Sequence, residues 1–158
     1  MKRILIALDY DPSAQIVAET GFKLAKSMNA EVTLLHVLRE VTYYSSMEYS
    51  PIIGYDPAEN PALWEDINVE DLKKAASSFL EHSKVHLGDD SLATMLKEGD
   101  VSDAIFEAVI ELKADIIVMG MYNRKGLDKF IMGSVAEKVL RHSHIPVFVV
   151  PVKETSLK

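Results

Sequence analysis

The chain has 158 residues, 48% of them hydrophobic, which is the size of one globular domain able to bury a proper core, and no second domain is expected. A formal net charge of -7 argues against general binding to nucleic acids or anionic membranes, since both need a basic face to displace condensed counterions. The absence of cysteine excludes disulfides, thiolate-bound metal and a thiol nucleophile.

The positive start Met1-Lys2-Arg3 leads into an apolar run that stops at Asp9, too short for a signal peptide or a membrane span, so a cytoplasmic location is expected. Within that run Ile4 to Leu8 reads as a buried strand closed by Asp9. A carboxylate at a strand's carboxyl end stands where open α/β sheets contact ligands, although the same residue also suits a plain turn. After Asp11-Pro12-Ser13 the periodicity predicts a helix to about Met28, with Ile16, Val17, Thr20, Gly21, Leu24 and Met28 on its inner side.

A second strand is read from Glu31 to Val37. It carries His36, which by type could work as an acid or base, but no acid partner or nucleophile is spaced to cooperate with it; a hydrogen-bonded structural histidine is the expectation. Residues 40–68 hold four of the six tyrosines, the only tryptophan and Pro51, Pro57 and Pro61. Connections of this length are typically lids, binding loops or interface segments. Tyr43, Tyr44, Met47, Tyr49, Tyr55 and Trp64 would suit a partner surface, or the segment folds back over the sheet. Cover for the ligand crevice or a partner subunit is the expected role.

A helix is predicted from about Val69 to His86, with Leu72, Ala75, Ala76, Phe79, Leu80 and Ser83 inward. Turn chemistry at Gly88-Asp89-Asp90-Ser91 precedes a third strand, Leu92 to Glu98. Gly99-Asp100-Val101-Ser102 then caps a helix to Lys113 that buries Ile105, Ala108, Val109 and Leu112. Gly99 and Asp100 could flank a crevice, but a turn is the simpler reading.

Asp115 to Met119 is a short run that reads as a strand covered on both faces, ended by Gly120. Beyond the loop, Ser134 and Glu137 are spaced as a capping box for a helix whose apolar face is Val135, Ala136, Val139 and Leu140. Two readings stand together here. The helix start is simply well capped, or Gly133, Ser134 and Val135 offer unpaired amides and about half a positive charge to a phosphate. Arg124, Lys125 and Lys129 against Asp128 make the loop locally basic, which favours an anion.

Strands alternating with helices, ending in a strand from Pro146 to Val152, predict a parallel sheet built through right-handed crossovers. The chain has neither G-x-x-x-x-G-K-[ST] nor G-x-G-x-x-G. A response-regulator-like reading is prompted by Asp9 and Asp11. It fails at the third strand, which ends in Lys97-Glu98-Gly99 with no aspartate to accept a phosphoryl group.

Gly120, two residues, Asn123, nine residues and Gly133-Ser134, placed between a strand and a helix, resemble the glycine motif of the universal stress protein family. The likeness extends from Ile4-Leu5-Ile6-Ala7-Leu8-Asp9 through Leu34-Leu35-His36-Val37 to Pro146-Val147-Phe148-Val149-Val150, almost the whole chain. It departs from the motif at Asn123, where family members carry glycine. Asparagine tolerates a left-handed backbone, but its side chain adds bulk where phosphate would approach.

The resemblance implies a Rossmann-like α/β fold over residues 1–152: an open five-stranded parallel sheet, strand order 3-2-1-4-5, helices on both faces, residues 40–68 as an insertion and 153–158 as a tail. It also implies an adenine-nucleotide-binding stress-response protein that holds ATP, or AMP or ADP. Ala7 and Asp9 would lie beside the nucleoside, Val37 would present its backbone to the base, and Met119 and Gly120 would lie near base and ribose. Asn123, Gly133, Ser134 and Val135 would surround the phosphates.

Asp11 sits where many members have a small hydroxyl, and its charge opposes phosphate unless a cation such as magnesium intervenes. No general base is evident, so hydrolysis is expected to be slow at most, with no catalytic residue assigned. An exposed apolar last strand would be covered by a second copy, giving a homodimer through residues 146–152, as the resemblance also implies. A nucleotide-free dimeric interaction protein is the alternative that Asn123 and Asp11 favour, and an ATP-hydrolysing enzyme is the third.

Overall fold

Five segments of aliphatic and β-branched residues pair side by side in a computed structural model that describes residues 1–9, 14–39, 69–123 and 133–153. The strands are β1 (Arg3–Ala7), β2 (Glu31–Leu38), β3 (Ala93–Glu98), β4 (Ile116–Asn123) and β5 (Val147–Lys153). All pairings are parallel, in the expected order β3-β2-β1-β4-β5. The described helices are α1 (Ala14–Ser27), α2 (Val69–Leu87), α3 (Val101–Leu112) and α4 (Ser134–His142).

Side chains alternate across a strand, so β1 feeds two cores at once. Ile4, Ile6 and Leu8 join Leu34 and Val118 under Val17 and Ala18 of α1 and Phe79 and Leu80 of α2. Leu5 joins Leu35, Val37, Ile117 and Met119 on the opposite face, under Ala104, Ile105 and Ala108 of α3 and Ala136 and Val139 of α4. At the amino end, Asp115 fixes the register of β1 against β4. Its N–H donates to the Arg3 carbonyl at 2.7 Å, and its carboxylate accepts from the Arg3 N–H at 2.8 Å.

Three local expectations are corrected. In α1 the buried side is Ala14, Val17, Ala18, Gly21, Phe22 and Ala25. Val17 and Gly21 were expected there, but Ile16 is 43% exposed and Met28 38%. Close approach decides the face: a Cβ on Gly21 would stand 2.7 Å from Ile6 Cδ1, so the helix presents its small residues to the sheet. In β4 the strand does not end at Gly120 but continues to Asn123, because its neighbour β5 stays paired through Gly120↔Val150 to Asn123↔Lys153.

The third correction concerns α4, where the N-cap is Gly133 and no side-chain hydrogen bond is made there. Ser134 is the first helical residue, and Glu137 pairs instead with Arg141 at 2.7 Å. The expected capping box does not form. Leu140, expected on the buried face, is 38% exposed; Ala136 and Val139 are the buried residues of this helix, with Val135 packed partly against the same core. The cap of α3 is as read: Asp100 accepts from the Asp103 N–H at 3.0 Å and from the Ser102 hydroxyl at 2.9 Å. Residues 40–68, Asp11 and the basic residues Arg124, Lys125 and Lys129 lie outside the described residues.

Candidate functional site

In this strand order the chain leaves β1 toward one neighbour and returns to its other side through β4. The carboxyl ends of β1 and β4 are therefore the point where an open α/β sheet leaves a crevice. Ala7 is the last residue of β1, half-buried on the α3 and α4 side, and Asp9 follows two residues on, exposed at that edge. The pairing Ile6↔Val118 sets Ala7 level with Met119, which is buried, with Gly120 one step beyond. The pairing Ala7↔Leu35 sets Val37 level with Asp9 on the other flank, where the Val37 side chain is buried.

Helix α4 carries the chain back from the carboxyl end of β4 to the amino end of β5, so its first turn stands at the same edge. Its first intrahelical bond runs from the Glu137 N–H to the Gly133 carbonyl at 3.0 Å, which leaves the amides before it without a partner inside the helix. Gly133 and Ser134 are exposed, and Val135 is half-buried. A Cβ built on Gly133 meets nothing within 4 Å among the described residues. Its backbone, φ -67 and ψ 163, is open to any residue, so the turn itself does not require glycine. A helix start with no side-chain cap, and with no described neighbour within 4 Å of a Cβ at Gly133, is the kind of terminus that can receive an anion.

Sequence reasoning placed Ala7, Asp9, Val37, Met119, Gly120, Gly133, Ser134 and Val135 at one edge, and the sheet brings them there. Asn123 is the exception in kind. It closes the β4 ladder opposite Lys153, where the glycine motif would place a phosphate-wrapping turn. Among the described residues no three carboxylate, imidazole or thiol groups converge as a metal cage.

The histidine in β2 is structural, as expected. His36 is 3% exposed; its Nδ1 lies 2.7 Å from the Leu8 carbonyl, and its ring meets Phe79 edge-on at 5.7 Å. A carbonyl can only accept, so Nδ1 carries the proton. Burial, reinforced by the nearby Arg39 charge and partly offset by the Leu8 bond, pushes the imidazole down to about 4. At neutral pH it is a neutral donor committed to Leu8.

Lys138 was not singled out from the sequence. It reaches Asp100 at 3.7 Å and Asp103 at 3.5 Å, tying α4 to the start of α3. Its spacing from those aspartates carries no signal until the fold brings the two helices together.

A universal stress protein family model matches residues 1–151. Universal stress protein MJ0531 of Methanocaldococcus jannaschii is 34% identical, across 97% of this chain and 85% of its own. Among solved structures, UspA of Lactobacillus plantarum superposes with a TM-score of 0.67 at 20% identity, covering 94% of this chain and 97% of that one. A universal stress protein in complex with cAMP superposes at 0.62, with 19% identity over 94% and 96% of the two chains. One from Archaeoglobus fulgidus in complex with dAMP superposes at 0.60, with 19% identity over 95% and 98%. The glycine-led helix start, the sheet order and these matches along nearly the full length agree: this chain belongs to the universal stress protein family.

Proposed function

We propose that the chain binds an adenine nucleotide, ATP in the first place, at the carboxyl edge of β1 and β4, and acts as a regulatory stress-response protein rather than as an enzyme. The observation that carries this reading is the first turn of α4, which has no side-chain cap at Gly133 and no described neighbour within 4 Å of a Cβ there, at the edge where Asp9 emerges. Phosphates would sit on the amides of Ser134 and Val135, with Asn123 alongside. Ala7 and Asp9 would flank the nucleoside, Met119 and Gly120 the base and ribose, and the Val37 backbone the base edge. Two family members in complex with cAMP and dAMP support the adenine preference.

Magnesium, if it accompanies the triphosphate, would take its ligands chiefly from the phosphates with Asp9 beside it. His36 is held by Leu8 and is not available as a general base. The apolar edge strand β5, with Phe148 41% exposed, supports a homodimer through residues 146–152. Sedimentation at micromolar concentration tests it, and a monomer contradicts it. A cytoplasmic location is part of the proposal; separately, no described helix is long and apolar enough to cross a membrane.

Mass spectrometry of small molecules released from the purified protein, with calorimetric titration of ATP, AMP and ADP, tests the nucleotide reading. A released adenine nucleotide or a saturable ATP isotherm supports it. One observation favours the nucleotide-free interaction protein instead: Asn123 is paired in the β4 ladder rather than released into a phosphate turn. No released ligand and no titratable ATP would decide for that reading. Steady phosphate release that disappears in Asp9→Ala would establish the enzyme.

A further inference from the structure

We propose that His36 is a positioning residue for the nucleotide edge: by holding the Leu8 carbonyl, it sets the direction in which Asp9 leaves β1. This rests on the adenine-nucleotide reading above. The ladder between β1 and β2 continues one step past the last pair, Ala7↔Leu35, with the Leu8 N–H donating to the Leu35 carbonyl at 2.8 Å. Beyond that step the strand has ended, and the Leu8 carbonyl is taken by a side chain, His36 Nδ1 at 2.7 Å.

That carbonyl and the Asp9 N–H belong to one planar peptide unit, and no peptide bond described is cis. The two groups therefore point in opposite directions. His36 lies on the α1 and α2 side of the sheet, against Phe79. Drawing the Leu8 carbonyl to that side turns the Asp9 N–H toward the side of α3 and α4, where Val37, Met119 and the first turn of α4 lie. A leucine or phenylalanine would fill the same space, but only a donor at the Nδ1 position orients the peptide. The bond to Leu8 selects the Nδ1–H tautomer of the neutral ring, and the charged ring would keep the same donor, so the contact does not depend on the charge of the imidazole.

The test compares His36→Asn, which keeps a donor where Nδ1 stands, with His36→Phe, which keeps the ring and loses the donor. ATP affinity by calorimetry, the Asp9 amide resonance and the melting temperature are measured on each. The expected result is ATP binding about tenfold or more weaker in His36→Phe and within about threefold of the parent in His36→Asn, with the Asp9 resonance displaced only in the phenylalanine variant. If His36→Phe does not fold, His36→Gln moves the donor one bond away and should bind at least about threefold worse than His36→Asn.

Equal affinity in the donor-free and donor-bearing variants, or a loss in both that tracks their melting temperatures, makes His36 a packing residue and overturns the proposal. If the parent protein binds no ATP, the nucleotide reading has failed separately. The Asp9 resonance then decides alone, and an unmoved signal in His36→Phe overturns the positioning role.

Discussion

Acidification should destabilise this protein through His36 before its carboxylates matter. The imidazole falls from an ordinary value of 6.5 to about 4 on folding. A folded value below the unfolded one means that the unfolded chain takes up a proton first, so stability is whole above pH 6.5 and drains away as pH falls toward 4. The full difference of about 2.5 pH units corresponds to about 3 kcal/mol, of which about 2.5 kcal/mol is already lost at pH 4.5. Asp89, Asp100 and Asp115 are also held below their ordinary value, by hydrogen bonds from Ser91, Asp103 and Arg3 respectively, but they titrate lower still.

The assay is urea unfolding of the parent and of His36→Phe at pH 7.5 and pH 4.5. Subtracting one from the other cancels every other titrating group. The parent should lose about 2.5 kcal/mol more than the variant on acidification. Equal losses would show that His36 is not held neutral by burial, and would refute the reasoning.

Gly133→Val should weaken ATP binding by at least about tenfold while leaving the melting temperature and the dimer unchanged, because its Cβ meets no described neighbour whereas a phosphate on the helix start would collide with the branched side chain. Gly21→Ala gains about 1 kcal/mol of helix propensity but must fit a methyl 2.7 Å from Ile6 Cδ1 and 3.1 Å from Val118 Cγ1. Overpacking of about 1–3 kcal/mol should prevail, with urea unfolding showing a net loss. Asp100→Ala removes the α3 cap and one partner of Lys138 and should cost about 1 kcal/mol. Asp100→Asn, which keeps the accepting oxygen, should recover most of that in the same assay.

The parts of the molecule legible in its sequence are those where one physical demand dominates. Ile4 to Leu8 and Asp115 to Met119 had to be strands covered on both faces, because their apolar residues leave no polar side, and both lie in the middle of the sheet. The resemblance named the candidate site residues, and the strand order explains why Ala7, Asp9, Met119 and Gly120 share one edge with the start of α4. The inner face of α1 was misread because hydrophobicity points to Ile16 and Met28, whereas close packing on Ile6 selects Gly21 and the alanines.

The capping box was misread for a similar reason. The spacing of Ser134 and Glu137 fits it, but the helix starts one residue earlier than that pattern needs, and Glu137 has Arg141 within reach. Gly120 looked like a strand end because sequence alone cannot show that β5 keeps pairing beyond it. The ties of Lys138 to Asp100 and Asp103, and the use His36 makes of Leu8, depend on contacts between distant segments and have no local signature.

In the proposed complex the exposed start of α4 receives the phosphates of an adenine nucleotide facing Asp9. Amide chemical shifts recorded during an ATP titration address it residue by residue. The largest movements should fall on Gly133, Ser134, Val135 and Asp9. Silence there at saturating ATP, or movements gathered instead around Lys26, Asp89 and Ser91 in the groove at the amino ends of β2 and β3, would contradict it.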